Sequence, residues 1–311
     1  MSRRFAAEAA LIGAALLYGI TFPLVHDALE DITPFAYLLG RFGIATLLLM
    51  PLAIPALRQR GPQRRMLVRA GLTAGVILFG GYVTQTIGLQ YTSASTSAFI
   101  TGLYVIITPV IESAITRRLP RPPVIVGIVV ATVGLYLLTG ADVHLGKGEA
   151  FTLACAVLFA FHIVYIGAYA NLLRPTQFTA LQIGAVAFLS IAPAGEQGVG
   201  TLSALAIFAV IFTGVACSAL ALPLQLWGQR RIPATRAALF LLAEPVFAVI
   251  AGYVNGERLG PARLAGAVTI LVGILISEFW PRRPLPTLTP TRDNLQPSDP
   301  LQPSDPLEEV P

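Results

Sequence analysis

Long apolar runs alternate along the whole chain with short polar connections rich in proline, glycine and arginine. The runs are roughly 17 to 25 residues long, the length a helix needs to cross a bilayer. They fall near 5–26, 35–56, 70–89, 94–116, 123–141, 149–170, 177–193, 201–224, 233–254 and 261–280. The pattern predicts an all-α polytopic membrane protein with ten transmembrane helices. Within the fourth run, Ser93 to Arg118, the residues Ser97, Thr101, Tyr104, Thr108 and Glu112 recur every three or four positions and share one side of a helix. Lipid satisfies neither hydroxyls nor carboxylates, so such a stripe faces a protein interior or a water-filled cavity. Pro109 frees the carbonyl of Val105 in mid-helix, a defect that neighbours or cavity water answer.

Composition narrows the classes. Over 311 residues, 55% are hydrophobic and 12% charged, against about 25% charged in soluble domains. The net charge of +5 sits mostly on arginines in the connections, where topology signals belong, and argues against a nucleic-acid partner. With the N-terminus in the cytoplasm, that side collects Arg3, Arg4, Arg58, Arg60, Arg64, Arg65, Arg69, Arg117, Arg118, Arg121, Arg174, Arg230, Arg231, Arg282, Arg283 and Arg292. The other side receives only Lys147, Arg258 and Arg263. The asymmetry places both termini in the cytoplasm. The start, MSRRF, leads into an apolar run without a clear small-residue cleavage site, and is read as an uncleaved first span. Beyond Trp280 the segment 281–311 carries LQPSDP twice in succession and is read as a disordered cytoplasmic tail.

The halves repeat at a shift of about 140 residues. Glu8 falls on Glu149, Pro34 on Pro175, Gln85 on Gln225, Gly88 on Gly228 and Ala94 on Ala234. With a small change of shift, Pro109 meets Pro245, and Gly127 and Gly134 meet Gly266 and Gly273. Five spans per copy is an odd number, so the second copy enters the membrane from the opposite side. The expectation is two inverted five-helix repeats, 1–141 and 142–280, an architecture suited to alternating access.

Several stretches resemble the EamA-like branch of the drug/metabolite transporter superfamily. They are LGRF at Leu39 to Phe42, YTSAS at Tyr91 to Ser95, LAEPVF at Leu242 to Phe247 and NGERL at Asn255 to Leu259. The resemblance covers roughly 5–280 and implies a bacterial inner-membrane exporter of small metabolites, amino acids or drug-like amphiphiles. The chain departs from the family pattern at Thr116 to Leu119, where a glycine-glutamate turn is often repeated. From Ala94 to Pro109 it is also one helical turn longer than from Ala234 to Pro245.

Candidate chemistry lies at polar residues inside spans. Glu244, mid-span before Pro245, is read as a proton-coupling group or contact for a cationic solute, or as a structural partner for Arg41. Arg41, whose repeat-mate is Gln182, is read first as half of a structural ion pair and second as a contact for an anionic solute. Glu112 stands one turn before Arg117 and Arg118 and reads as an interfacial salt link or an inner gate. His162 is a packing histidine or a proton relay. Tyr18, Phe22, Tyr82, Gln85, Thr101, Tyr104, Thr108, Tyr165 and Gln225 complete the expected solute-binding set, with Trp227 assigned to the interfacial belt. Such a lining suits a small, partly apolar organic solute. No metal, no cofactor and no catalytic group is expected: Cys155 and Cys217 are isolated, and the ATP-binding motif GxxxxGK[ST] is missing. The competing readings are an intramembrane enzyme acting on a lipid-linked substrate, for which no paired acids or nucleophile and base are found, and a membrane scaffold or sensor.

Overall fold

The computed structural model of the protein describes residues 3–19, 21–140, 146–254 and 260–278. The tail at 281–311 and the NGERL stretch at 255–259 lie outside them. The described elements are helical: α1 (Arg3–Gly19), α2 (Thr21–Ala28), α3 (Pro34–Arg58), α4 (Pro62–Leu89), α5 (Ala94–Gly102), α6 (Tyr104–Thr116) and α7 (Pro122–Thr139), followed by α8 (Lys147–Tyr169), α9 (Pro175–Gln197), α10 (Ala204–Phe212), a π-helical segment (Thr213–Ala221), α11 (Leu222–Gln229), α12 (Ala234–Leu241), α13 (Glu244–Val254) and α14 (Pro261–Glu278). Among the described residues there is no strand, only an isolated antiparallel bridge between Ile32 and Gly200.

Local chemistry sets the boundaries. Proline opens α3, α4, α7 and α9, where its missing N–H has no helical partner to lose. Ser93 and Ser203 cap α5 and α10 by accepting from the N–H groups of Thr96 and Ala206, each at 3.1 Å. Gly140 ends α7 in the left-handed conformation, with φ of 56°. Inside the helices, Thr84, Thr108, Thr132, Thr152 and Thr213 return their hydroxyls to the carbonyl four residues earlier. A hydroxyl in an apolar surrounding is thereby satisfied within its own helix.

Eight helical stretches among the described residues are long and apolar enough to cross a membrane: Arg4–Ala28, Pro34–Arg58, Pro62–Leu89, Thr96–Thr116, Pro122–Thr139, Lys147–Tyr169, Pro175–Gln197 and Ala204–Gln229. The protein is therefore a multi-pass membrane protein. The last two predicted spans correspond to the pair α12 and α13 and to the shorter apolar helix Pro261–Ser277 within α14. Two predicted spans are interrupted. The fourth breaks at Leu103, between α5 and α6, about 1.7 turns before Pro109. The ninth breaks at Leu242 and Ala243, directly before Glu244 and Pro245.

Helix pairing follows a regular scheme. α3 packs along α9, and α7 along α14; α4 packs on α8, and α1 on α11; α6 packs on α8, and α1 on α12 and α13. At the α7–α14 seam, Gly127 faces Gly273 and Gly134 faces Gly266 so closely that an added Cβ would lie 2.6 Å from the opposing backbone at Gly127, Gly134 and Gly273. Small residues let membrane helices approach this far. The buried apolar residues form two main groups, one around α7, α12 and α14 and one around α3, α9 and α10. A cavity runs between them.

Candidate functional site

The cavity draws its walls from both halves of the chain. Tyr18, Thr21 and Val25 come from α1 and α2, Tyr37 and Arg41 from α3, and Leu78, Tyr82, Gln85, Thr86 and Leu89 from α4. Thr101 and Tyr104 flank the break between α5 and α6. Phe159, His162 and Ile163 lie on α8, Leu222 and Gln225 on α11, and Leu241 and Glu244 flank the second break. Both helix interruptions thus open onto one space.

On one wall sits a buried network. Arg41, only 4% exposed, donates from Nε to Ser218 Oγ at 2.9 Å, from Nη1 to Tyr37 Oη at 3.3 Å and from Nη2 to Tyr82 Oη at 3.1 Å. Tyr37 in turn donates to Thr213 Oγ1 at 3.0 Å. The guanidinium lies over the rings of Tyr82 and Phe42, 4.5 and 5.1 Å from their centroids, a cation–π arrangement. Tyr37 and Arg41 are four apart and share a face of α3. Their partners Thr213 and Ser218 are five apart, a spacing an α-helix would splay. The π-helical segment closes with an i→i+5 bond, Leu222 N–H to Cys217 O, and so brings both hydroxyls to the same side.

Glu244 opens α13 on the cavity wall. It forms no hydrogen bond or ion pair among the described residues, and Arg41 pairs with no carboxylate there. The expected Arg41–Glu244 ion pair is replaced by the three hydroxyl contacts. Gly19 brings α1 against the backbone of Glu244: a Cβ there would lie 2.6 Å from its carbonyl oxygen. Tyr18 donates to Gln225 Oε1 at 3.2 Å, while the amide of Gln85, its counterpart in the first half, has no partner among the described residues. His162 Nε2 lies 2.7 Å from Gln182 Oε1.

Of the solute-binding set, Tyr18, Tyr82, Gln85, Thr101, Tyr104, His162, Gln225 and Glu244 line the cavity, as does Arg41. The Phe22 side chain lies outside the described ones. Thr108 is fully buried and back-bonded to Tyr104 O, so it leaves the stripe. Tyr165 packs against Tyr169, 5.2 Å between centroids, in a separate apolar cluster. Glu112 pairs with neither Arg117 nor Arg118; its carboxylate accepts from Thr235 N–H at 2.9 Å and from the Thr235 hydroxyl. The free donors at the start of α12 outcompete flexible, solvated arginines. Trp227 is partly buried against the core, with Arg231 5.9 Å from its ring centroid. Sequence reasoning missed Tyr37, Thr213 and Ser218. The i, i+4 relation of Tyr37 to Arg41 was the available signal; the π-helical register of the other two had none.

Among the described residues no group of three histidine, cysteine or acidic side chains is placed to hold a metal.

The family model described as "EamA-like transporter family" matches residues 6–140 and again 146–279. An uncharacterized transporter of Archaeoglobus fulgidus is 31% identical over 277 residues, covering 88% of this chain and 86% of the relative. The uncharacterized transporter YyaM of Bacillus subtilis is 24% identical over 289 residues, covering 86% and 92%. A solved crystal structure shares the fold at 19% identity, with a TM-score of 0.74 over 88% of this chain and 97% of that one. With matches over both halves and apolar helices throughout, the chain belongs to the EamA-like transporter family.

Proposed function

We propose that this protein is a secondary transporter that exports small, partly apolar organic solutes across a bacterial inner membrane by alternating access. Its ten spans would form two inverted repeats, 1–141 and 142–280. The observation that carries this reading is the helix pairing. Exchanging the halves turns α4 on α8 into α11 on α1, and α6 on α8 into α12 and α13 on α1, while α3–α9 and α7–α14 map onto themselves. A contact set that survives the exchange is what a two-fold axis in the membrane plane requires. Two such halves can exchange conformations, giving two states of similar energy related by that two-fold axis.

With the termini cytoplasmic, the cavity residues Val25, Leu89 and Thr86 lie toward the outer side. The inner side is tied by Glu112 to Thr235 and by Glu8, which meets Arg4 at 2.7 Å and Arg236 at 3.7 Å. The conformation is then closed inward. Glu244, unpaired on the cavity wall beside a helix break, is the coupling carboxylate in this reading, taking up and releasing a proton as the cavity changes sides.

Reconstitution in vesicles tests both statements. Wild-type protein moves small organic solutes chemically unaltered and responds to an imposed pH gradient. Glu244→Gln abolishes the pH-driven component while exchange across equal pH persists. Unchanged gradient-driven flux in that variant rules out the coupling role, and chemical conversion of the solute favours an enzyme.

A further inference from the structure

Resting on the transport reading, we propose that Arg41 is a docking point for a carboxylate group on the transported solute. A guanidinium has five N–H donors in a planar fork. The protein engages three, one on each nitrogen, through Ser218, Tyr37 and Tyr82. Among the described residues Nη1 and Nη2 therefore each keep one N–H without a partner, and the two terminal nitrogens of a guanidinium can together bind the two oxygens of a carboxylate. Everything else about the group is fixed. Its plane is held against Tyr82 and Phe42, and the Tyr37 hydroxyl commits its own proton to Thr213, so its oxygen faces the arginine as an acceptor.

The charge is uncompensated by contact. Burying an ion costs several kcal/mol unless it is paired, yet all three partners are neutral hydroxyls and no carboxylate lies within ion-pair distance among the described residues. Glu244 stands on the same cavity without reaching it. A purely structural arginine would be saturated; this one is oriented and left open on a cavity wall. The lining also selects the anion. Among its described residues there is no lysine and no second arginine, so Arg41 offers a single positive charge, matching a monoanionic carboxylate better than a dianionic phosphate, which the Glu244 carboxylate on the same lining repels more strongly.

The test uses purified full-length protein and three acids, phenylacetate, 3-phenylpropionate and 4-phenylbutyrate, each beside its primary amide. Ligand-dependent thermal stabilisation reads the affinities. In wild type at least one acid binds tenfold or more tightly than its amide. Arg41→Gln reduces that preference to within twofold, and Arg41→Lys restores part of it. Should Arg41→Gln fail to fold, Ser218→Ala removes the contact that orients Nε and keeps the charge, and the preference shrinks at least threefold. Absence of any acid preference across the series in wild type overturns the proposal, as does a preference unchanged in either variant. Vesicle flux separates this failure from that of the transport reading. Equal flux of acid and amide removes the carboxylate site and leaves the transporter. Binding preference without flux of any probe or candidate solute leaves the site and removes the transporter.

Discussion

The seam between α7 and α14 gives the sharpest test of the packing, because two pairs of glycines meet there with no side chain between them. Gly127 and Gly134 are seven residues apart, as are Gly266 and Gly273, so each pair presents two gaps on one face two turns apart. A Cβ on Gly134 would lie 2.6 Å from Ile270 N and 2.8 Å from Gly266 O. Both are backbone atoms and cannot rotate away, and ordinary contact is longer by the better part of an ångström. Gly134→Ala therefore has to move a helix. Overpacking of this kind costs about 1 to 3 kcal/mol, against a gain of about 0.8 to 1.0 kcal/mol from alanine's helix propensity. The expected net loss runs up to about 2 kcal/mol, at most about a thirtyfold fall in the folding equilibrium. Gly13 and Gly43 supply the control. Nothing lies within 4 Å of a Cβ at either position, so their alanine variants should be neutral or more stable. Equilibrium unfolding in mixed micelles measures all three. Gly134→Ala as stable as Gly43→Ala would show that the seam is not held at backbone contact.

Three further outcomes follow from the same geometry. Tyr37→Phe removes one hydroxyl from Arg41 and the link from that arginine to Thr213, whose own hydroxyl stays bonded to Ala209 O, and is expected to lower stability by about 1 to 3 kcal/mol in the same unfolding assay; no shift would mean that water replaces the phenol freely. Glu112→Gln weakens the charge-assisted contact with the start of α12 and should lower the unfolding midpoint, by about 1 kcal/mol. An unchanged midpoint would remove Glu112 as an anchor. Cys155 and Cys217 are both fully buried, so a membrane-permeant maleimide should modify neither until the protein unfolds, and stoichiometric labelling of the native protein would contradict the burial.

Hydropathy made the helices legible, because a bilayer demands long apolar runs whatever the tertiary fold. The starts of α3, α7 and α9 fall within two residues of the expected ones, each marked by its proline. Hydropathy predicts a span starting at residue 70, whereas α4 begins at Pro62. Its first two turns hold Arg64, Arg65 and Arg69, which hydropathy rejects but which form helix readily. The stripe on the fourth span located the cavity, yet only Thr101 and Tyr104 of its members reach the lining. Ser97 and Thr108 are fully buried, and Glu112 turns to Thr235. Periodicity identifies a face; the break at Leu103, between the two members that reach the lining, is invisible to it. Arg41 and Tyr82 could be found and Tyr37 carried an i, i+4 signal, but Ser218 and Thr213 could not. Two of its network's four hydroxyls depend on a π-helical register in a stretch, TGVACSALA, whose composition fits an α-helix equally well.

On the proposed repeat, the skeleton is more symmetric than the chemistry it carries. Arg41 corresponds to Gln182, which is engaged by His162. Glu244 corresponds to Thr108, whose hydroxyl is closed back on its own helix. Among the described lining residues each half therefore contributes one side chain of the Arg, Lys, Asp and Glu set, Arg41 and Glu244, of opposite sign, and the equivalent position in the other half is neutral and already satisfied. The breaks differ in the same sense: in the first half the interruption lies six residues ahead of the proline, and in the second it adjoins the Glu244–Pro245 pair. Exchanging the halves can then invert which side the cavity faces, since that depends on backbone shape. It does not interchange Arg41 and Glu244, so in the proposed alternating-access cycle the solute would meet the same two groups in both states, and only their access to water would change. A coupling carboxylate needs that arrangement: a fixed partner for the solute and a change of exposure for the proton.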